Sequence, residues 1–313
     1  MRESKFSLTS SNSSFKECAR TYSFHYLVPK TLSSNDIVNY ECPRYSADGK
    51  CLYGPNTVVV SSGGNYLFMD SEFVQCSNSG SGGAIDQDNG HLTITRCLFD
   101  RCSCTVRGGA VSFRTSGNCI QEDNSFICCS AGASGALDSF HENARPVHTQ
   151  RRCKYLCTRA TYFGHGSIEY SPNTLIDSNS YVHGRSRANG DLWAGTVVNF
   201  HEQGPIVYTN CLFSDGKADN SGGLSFLGVN TINSATLTVK FCFFHSNYDS
   251  NRKPREIYFD GDTSSRANKD LIIHSFSATP GSTVFIQNKS PQDQDWLPQG
   301  TFLFIVEAGR SLS

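Results

Sequence analysis

The sequence predicts an all-β solenoid, a parallel β-helix of about seven rungs, and three observations carry that prediction. Gly82-Gly83-Ala84-Ile85, Gly108-Gly109-Ala110-Val111 and Gly135-Ala136-Leu137 repeat one Gly-Ala-aliphatic pattern at intervals of 26 residues. A second landmark keeps the same beat: Phe73, Phe99, Phe126, Phe213 and Phe244 each close a short alternating segment, as Ile94 precedes Phe99 by five residues. Only 18% of residues are charged, and apolar residues come as short alternating triplets rather than long 3.6-period stretches.

Each unit of roughly 26–32 residues thus carries three short strands, at Gly-Ala-aliphatic, at the alternating triplet and at Cys-x-Phe. One such unit cannot bury its apolar face alone, and stacking buries it in continuous columns. A β-propeller would need blades of about 40–45 residues with four strands. Aligning on the aliphatic residue extends the series from Ile85, Val111 and Leu137 to Ile168, Val197, Leu224 and Ile257. Leu156 and Tyr181 are expected to fill the gap between Phe126 and Phe213. The glycines serve corners that need positive φ or close backbone approach.

In chain order, residues 1–55 read as an N-terminal cap or extension, in which Cys42 and Cys51 could staple the cap. Residues 56–290 form the repeat domain, with loops expected to leave the coil after Leu137 and around 181–194. Residues 291–313 read as a C-terminal cap or tail. The first 20 residues contain no apolar signal-peptide core, and no run of 18 apolar residues suggests a membrane span. The formal net charge of −1 gives no pull toward nucleic acid or anionic membrane.

Fourteen cysteines also follow the repeat. Cys76, Cys102 and Cys129 stand three residues after a repeat Phe; Cys97, Cys211 and Cys242 stand two before one. Stacked, they form two columns, either of buried free thiols or of inter-rung disulfides, since the rung spacing of about 4.8 Å falls within the allowed Cα separation. No CxxC pair points to zinc.

The GGA-aliphatic segments at 82–85 and 108–111, with F-x-x-C at 73–76, 99–102 and 126–129, resemble the repeat of the polymorphic outer membrane proteins. That family alternates GGA[ILV] with FxxN. Similar repeats with FxxC occur in large sets of protist proteins thought to lie at the cell surface. The resemblance implies a right-handed single-stranded parallel β-helix of the pectin-lyase-like type, an extracellular or cell-surface location, and adhesion. Its motifs cover residues 58–140 well and 160–260 in fragments. Only Asn247 keeps the family's Asn at the third position after Phe; Cys replaces it in three rungs and Gly216 in another.

Solenoids of this kind also host enzymes, so carboxylate pairs deserve a search. One residue past each anchor stand Asp86, Ser112, Asp138 and Glu169, which makes Asp138 and Glu169 the candidate catalytic pair. His141-Glu142 and His201-Glu202 recur two rungs apart, which adds His141 and Glu142 to the catalytic candidates. Gly164-His165-Gly166 matches one short polygalacturonase motif without its partners. DQDNG (86–90) and DGDTSSRANKD (260–270) lack the EF-hand pattern and read as turns, with Asp260 and Asp262 the one candidate metal site. No cofactor motif is found. The function expected is non-catalytic binding of a carbohydrate or protein ligand on the solenoid face. The alternative is a polysaccharide lyase or glycoside hydrolase. The enzyme needs Asp138 and Glu169 to converge; the binder needs a stripe running along several rungs.

Overall fold

The structure, a computed structural model, describes residues 51–55 and 64–260 apart from short loop segments, and outside them the strands at 37–38, 58–60, 269–274, 277–278 and 283–287. Every secondary-structure element among the described residues is a strand. The strands lie in three parallel sheets of nine, with two short two-stranded pairs beside them. All belong to one compact unit, Asn35–Ser313. Each strand pairs with its counterparts one rung before and one rung after, so Ile85, Val111 and Leu137 are in register across three rungs. The chain is therefore a parallel β-solenoid. The seven motif-bearing rungs are extended at each end, by Val58–Val60 and Thr283–Gln287 in the first sheet, neither of which carries the Gly-Ala signature.

The first sheet holds the Gly-Ala-aliphatic strands, the second the alternating triplets and the third the aromatic strands. Along Leu92–Thr95, buried and half-buried residues alternate, as period-two geometry requires of a strand with one face on a core. Eight of the nine strands of the third sheet send an aromatic ring inward, and in the ninth Ala278 stands at that register position. Tyr53, Phe73, Phe99, Phe126, Tyr155, Tyr181, Phe213 and Phe244 form an unbroken stack with ring centroids 4.5–5.0 Å apart. Tyr155, not Leu156, bridges the gap; Leu156 pairs with Ile127 and Val182. A slip of one residue reverses the face a strand presents, which is why the neighbour of the core residue was the wrong choice.

Two corners per rung turn on single residues in the left-handed region. Asp70, Arg96, Asp123, Arg152, Ser178, Asn210 and Phe241 take φ of 48–57° between the second and third sheets. Such a residue costs about 1–2 kcal/mol when it is not glycine. The inter-rung ladder offsets this, as where the Arg96 amide donates to the Glu122 carbonyl at 2.9 Å. Glycine is needed elsewhere. Gly82 and Gly108 have φ of +63° and +68°, and the following Gly83 and Gly109 lie so close to the next rung that a Cβ would overlap the carbonyl oxygens of Gly109 and Gly135.

Candidate functional site

Asp138 and Glu169 do converge. Both face outward from the first sheet, yet Asp138 is fully buried and Glu169 nearly so. Arg107, on the segment leading into Gly108-Gly109, reaches along the rungs and sets its Nη1 3.0 Å from Glu169 Oε1 and 3.9 Å from Asp138 Oδ1. Ser134 and Ser167 each donate to Asp138 Oδ1, at 2.8 and 2.7 Å. Burial pushes the Glu169 carboxyl up to about 7, and the Asp138 charge adds to this while Arg107 opposes it. A carboxyl held near neutrality beside a second carboxylate is equipped to move a proton.

The register behind this meeting differs from the expected one. Leu137 pairs with Gly166, not Ile168, and Gly166 in turn pairs with Val197. Asp138 is therefore level with Ser167, and Glu169 lies two residues farther along. A shift of two keeps the same face of a strand, so the carboxylates still meet, through Arg107 rather than by direct stacking. Sequence reasoning missed Arg107, Ser134 and Ser167; the one available signal was that Arg107 directly precedes a glycine pair.

The same register explains Gly164-His165-Gly166. Gly164 stands where other rungs have the second glycine, and His165 stands in the column of Ala84, Ala110 and Ala136. The imidazole is buried, its Nδ1 shares a 2.7 Å hydrogen bond with Thr158 Oγ1, and burial lowers its pKa to about 3. Room for it comes from Gly184, where a Cβ would meet the imidazole carbons at 2.5 and 3.0 Å. Thr158 and Gly184 occupy the third position after the aromatic, the column of Cys76, Cys102 and Cys129. His165 is therefore an interior packing residue compensated by its neighbours.

That column clarifies the cysteines. Asn247 donates from Nδ2 to the Phe213 carbonyl of the preceding rung at 2.9 Å. Cys102 and Cys129 donate their thiols to the equivalent carbonyls of Phe73 and Phe99, at 3.3 and 3.5 Å. The other column mixes the same types: Asn124 Nδ2 donates to the Ile94 carbonyl at 2.8 Å and Cys97 Sγ to that of Phe68 at 3.6 Å. Cysteine thus substitutes for asparagine with a longer, weaker bond. Ten cysteines are free thiols among the described residues, including all six in these columns, while Cys157 is disulfide-bonded. Cys42 and the side chain of Cys51 lie outside the described residues.

The outward face of the second sheet carries a continuous row. Leu67, Thr93, Ile120, Thr149, Leu175, Val207 and Thr238 are in register over seven rungs. Leu67, Thr93, Ile120, Leu175 and Val207 are half-buried, and no member of the row is charged. Beside it the corner charges neutralise one another, Arg96 clasping Asp70 with contacts of 2.7 and 2.6 Å and Arg152 clasping Asp123 at 2.7 and 2.9 Å.

The side chain of His141 lies outside the described residues, as do Glu142, His201, Glu202 and Asp262 and the side chain of Asp260. Among the described residues, no three His, Cys, Asp or Glu side chains gather as a metal-ligating group, and no helix is long and apolar enough to cross a membrane. Compared with known protein families, curated proteins and solved structures, the chain has no match.

Proposed function

We propose that this solenoid is a non-catalytic binding protein that holds an extended, uncharged ligand, foremost a neutral glycan, along the outer face of its second sheet. The uncharged row from Leu67 to Thr238 carries this reading. Apolar side chains left partly exposed along one sheet face mark contact surfaces, and the half-buried Thr93 adds a hydroxyl for hydrogen bonds, while Thr149 and Thr238 are buried. The repetition at about 4.8 Å per rung suits a ligand that itself repeats. The charges at the corners of four rungs, Asp70 with Arg96 and Asp123 with Arg152, are paired with each other, which favours a neutral ligand over an acidic one. An adhesin-like role at a cell surface accords with the resemblance to the polymorphic outer membrane protein repeat.

The experiment is binding of the full chain to immobilised neutral linear polysaccharides, repeated with Leu175→Lys and Val207→Lys. Both side chains are half-buried on the outward face, so the variants should fold and should lose binding at least about tenfold. Equal binding by wild type and both variants sinks this reading.

A second reading, cleavage of a polysaccharide, is favoured by the meeting of Asp138 and Glu169 on Arg107. Near-complete burial of both carboxyls counts against it, because a sugar would have to displace Arg107 to reach them. Release of new reducing ends or unsaturated products, abolished in Glu169→Gln, would make this the better account.

A further inference from the structure

Midway along the solenoid the apolar core gives way to polar side chains. Between Leu92 and Ile206 one inward column of the second sheet holds Cys119, His148 and Thr174. Between Ile94 and Ile176 the next inward column holds Gln121 and Gln150. All five are buried. Buried polar groups persist only where each finds its partner, which makes the direction of every hydrogen bond here informative.

Those directions follow from one backbone amide. The Cys153 N–H donates to Asn179 Oδ1 at 2.8 Å, which turns Asn179 Nδ2 toward Gln150 Oε1 at 3.1 Å. The Tyr155 and Tyr181 hydroxyls donate to the same oxygen, at 3.1 and 3.2 Å. Gln150 Nε2 is therefore the atom that faces His148 Nε2, at 2.8 Å, and an amide nitrogen can only donate. His148 Nε2 must accept, so the ring proton sits on Nδ1 and is donated to Ser139 Oγ at 3.0 Å. A second proton on this imidazole would set N–H against N–H.

We propose that His148 is an acid-sensitive latch in the core: protonation of its Nε2 breaks the relay and releases the rungs between Cys119 and Tyr181. The described groups that face it offer no countercharge. Cys119 is level with it on the preceding strand and Thr174 on the following one, while Tyr155 and Tyr181 lie across the core with Cys153 close to Tyr155. Burial pushes both thiols up to about 12 and raises both tyrosine hydroxyls, so all four stay neutral in acid. Asp138 and Glu169 point outward from the first sheet, on the face opposite Ser139. His165, 6.2 Å from the Tyr155 ring, is a second imidazole that burial holds neutral, and its effect has the same sign. Ile120, Thr149 and Leu175 of the outer row stand on the same three strands, so parting these strands breaks the row as well. Only that last consequence rests on the binding reading.

The test is urea unfolding of the ligand-free full chain from about pH 7.5 to about pH 4.5, wild type against His148→Gln, whose side-chain oxygen can accept from Gln150 at any pH. An imidazole kept neutral in the fold, but free to protonate at about pH 6.5 once unfolded, gives stability that is full above that pH and lost below it. The folding equilibrium constant then falls close to tenfold for each unit below about pH 6. Carboxylates and His165 titrate in both proteins and cancel in the comparison. Wild type should lose close to tenfold more per unit than His148→Gln, and parallel curves overturn the proposal. If His148→Gln does not fold, nitrogen-15 histidine spectra of wild type decide. His148 is expected to carry its proton on Nδ1 and to stay neutral until the chain unfolds. A proton on Nε2, or titration within the intact fold, overturns the proposal.

Discussion

Replacing Gly109 by alanine should separate two rungs of the solenoid. A Cβ at Gly109 overlaps the Gly135 carbonyl oxygen and comes within 2.6 Å of the Ser130 carbonyl oxygen, where ordinary contact begins at 3.4 Å. Both obstacles are backbone, so the rungs must part by roughly 1 Å. Three hydrogen bonds span that gap: Gly109 N to Ser134 O at 3.0 Å, Ala110 N to Ala136 O at 2.9 Å and Val111 N to Ala136 O at 3.0 Å. Opening by that amount takes all three beyond hydrogen-bond range. At about 1–3 kcal/mol for each buried group left unpaired, the loss is about 3–9 kcal/mol, nearer the lower end as neighbours relax. Urea unfolding followed by far-ultraviolet circular dichroism measures it, and a chain that is largely unfolded in buffer fits the upper end. Gly54→Ala is the control, since a Cβ there meets nothing within 4 Å and should change stability by less than about 0.5 kcal/mol. A wild-type midpoint for Gly109→Ala would refute the close-approach argument.

Three further outcomes are expected. Phe126 stacks on Phe99 at 4.8 Å and Tyr155 at 4.7 Å, so Phe126→Leu should lose about 1–3 kcal/mol in urea unfolding; its double-mutant cycle with Phe99→Leu should show coupling, and strict additivity would count against the stack. Gly184→Ala should destabilise by about 1–3 kcal/mol through His165, and adding His165→Ala should recover much of the loss; no recovery would mean the imidazole is not the obstacle. Burial holds the thiols of Cys97, Cys119 and Cys153 near 12 against an ordinary value of 9.0. The unfolded chain then releases protons the folded chain keeps, so their contribution is full below pH 9 and is lost as pH rises from 9 toward 12. The slope is about 1.4 kcal/mol per pH unit per thiol, and urea midpoints that stay level between pH 8 and 11 would contradict it.

What the sequence made legible was whatever the repeat wrote in side-chain type. Phe73, Phe99 and Phe126 repeat because an aromatic column needs aromatic residues, and Gly82-Gly83 recurs because positive φ and close approach exclude a Cβ. The corners at Asp70, Arg96, Asp123 and Arg152 were illegible, since their left-handed backbone is imposed by the inter-rung ladder on residues with no preference for it. The anchor expected at Ile168 falls two residues earlier, at Gly166, which carries no apolar side chain to mark the aliphatic position it fills. Asp138 and Glu169 read as a pair from the outward face they share. Their burial was not foreseen, because it comes from Arg107 and the Ser134 segment, which the period alone does not set against them. The thiol columns were visible as positions, but the donation of Cys102 to the Phe73 carbonyl required coordinates.

The binding proposal meets its most direct test in side-chain hydroxyl-radical footprinting of the full chain, free and bound to a neutral linear polysaccharide. The account predicts reduced labelling of Leu67, Ile120, Leu175 and Val207, recurring on the second sheet from rung to rung, while Val74 and Leu156 on the third sheet stay unchanged. Protection confined to the segment around Arg107, Asp138 and Glu169, or a row that labels equally with and without polysaccharide, would contradict it.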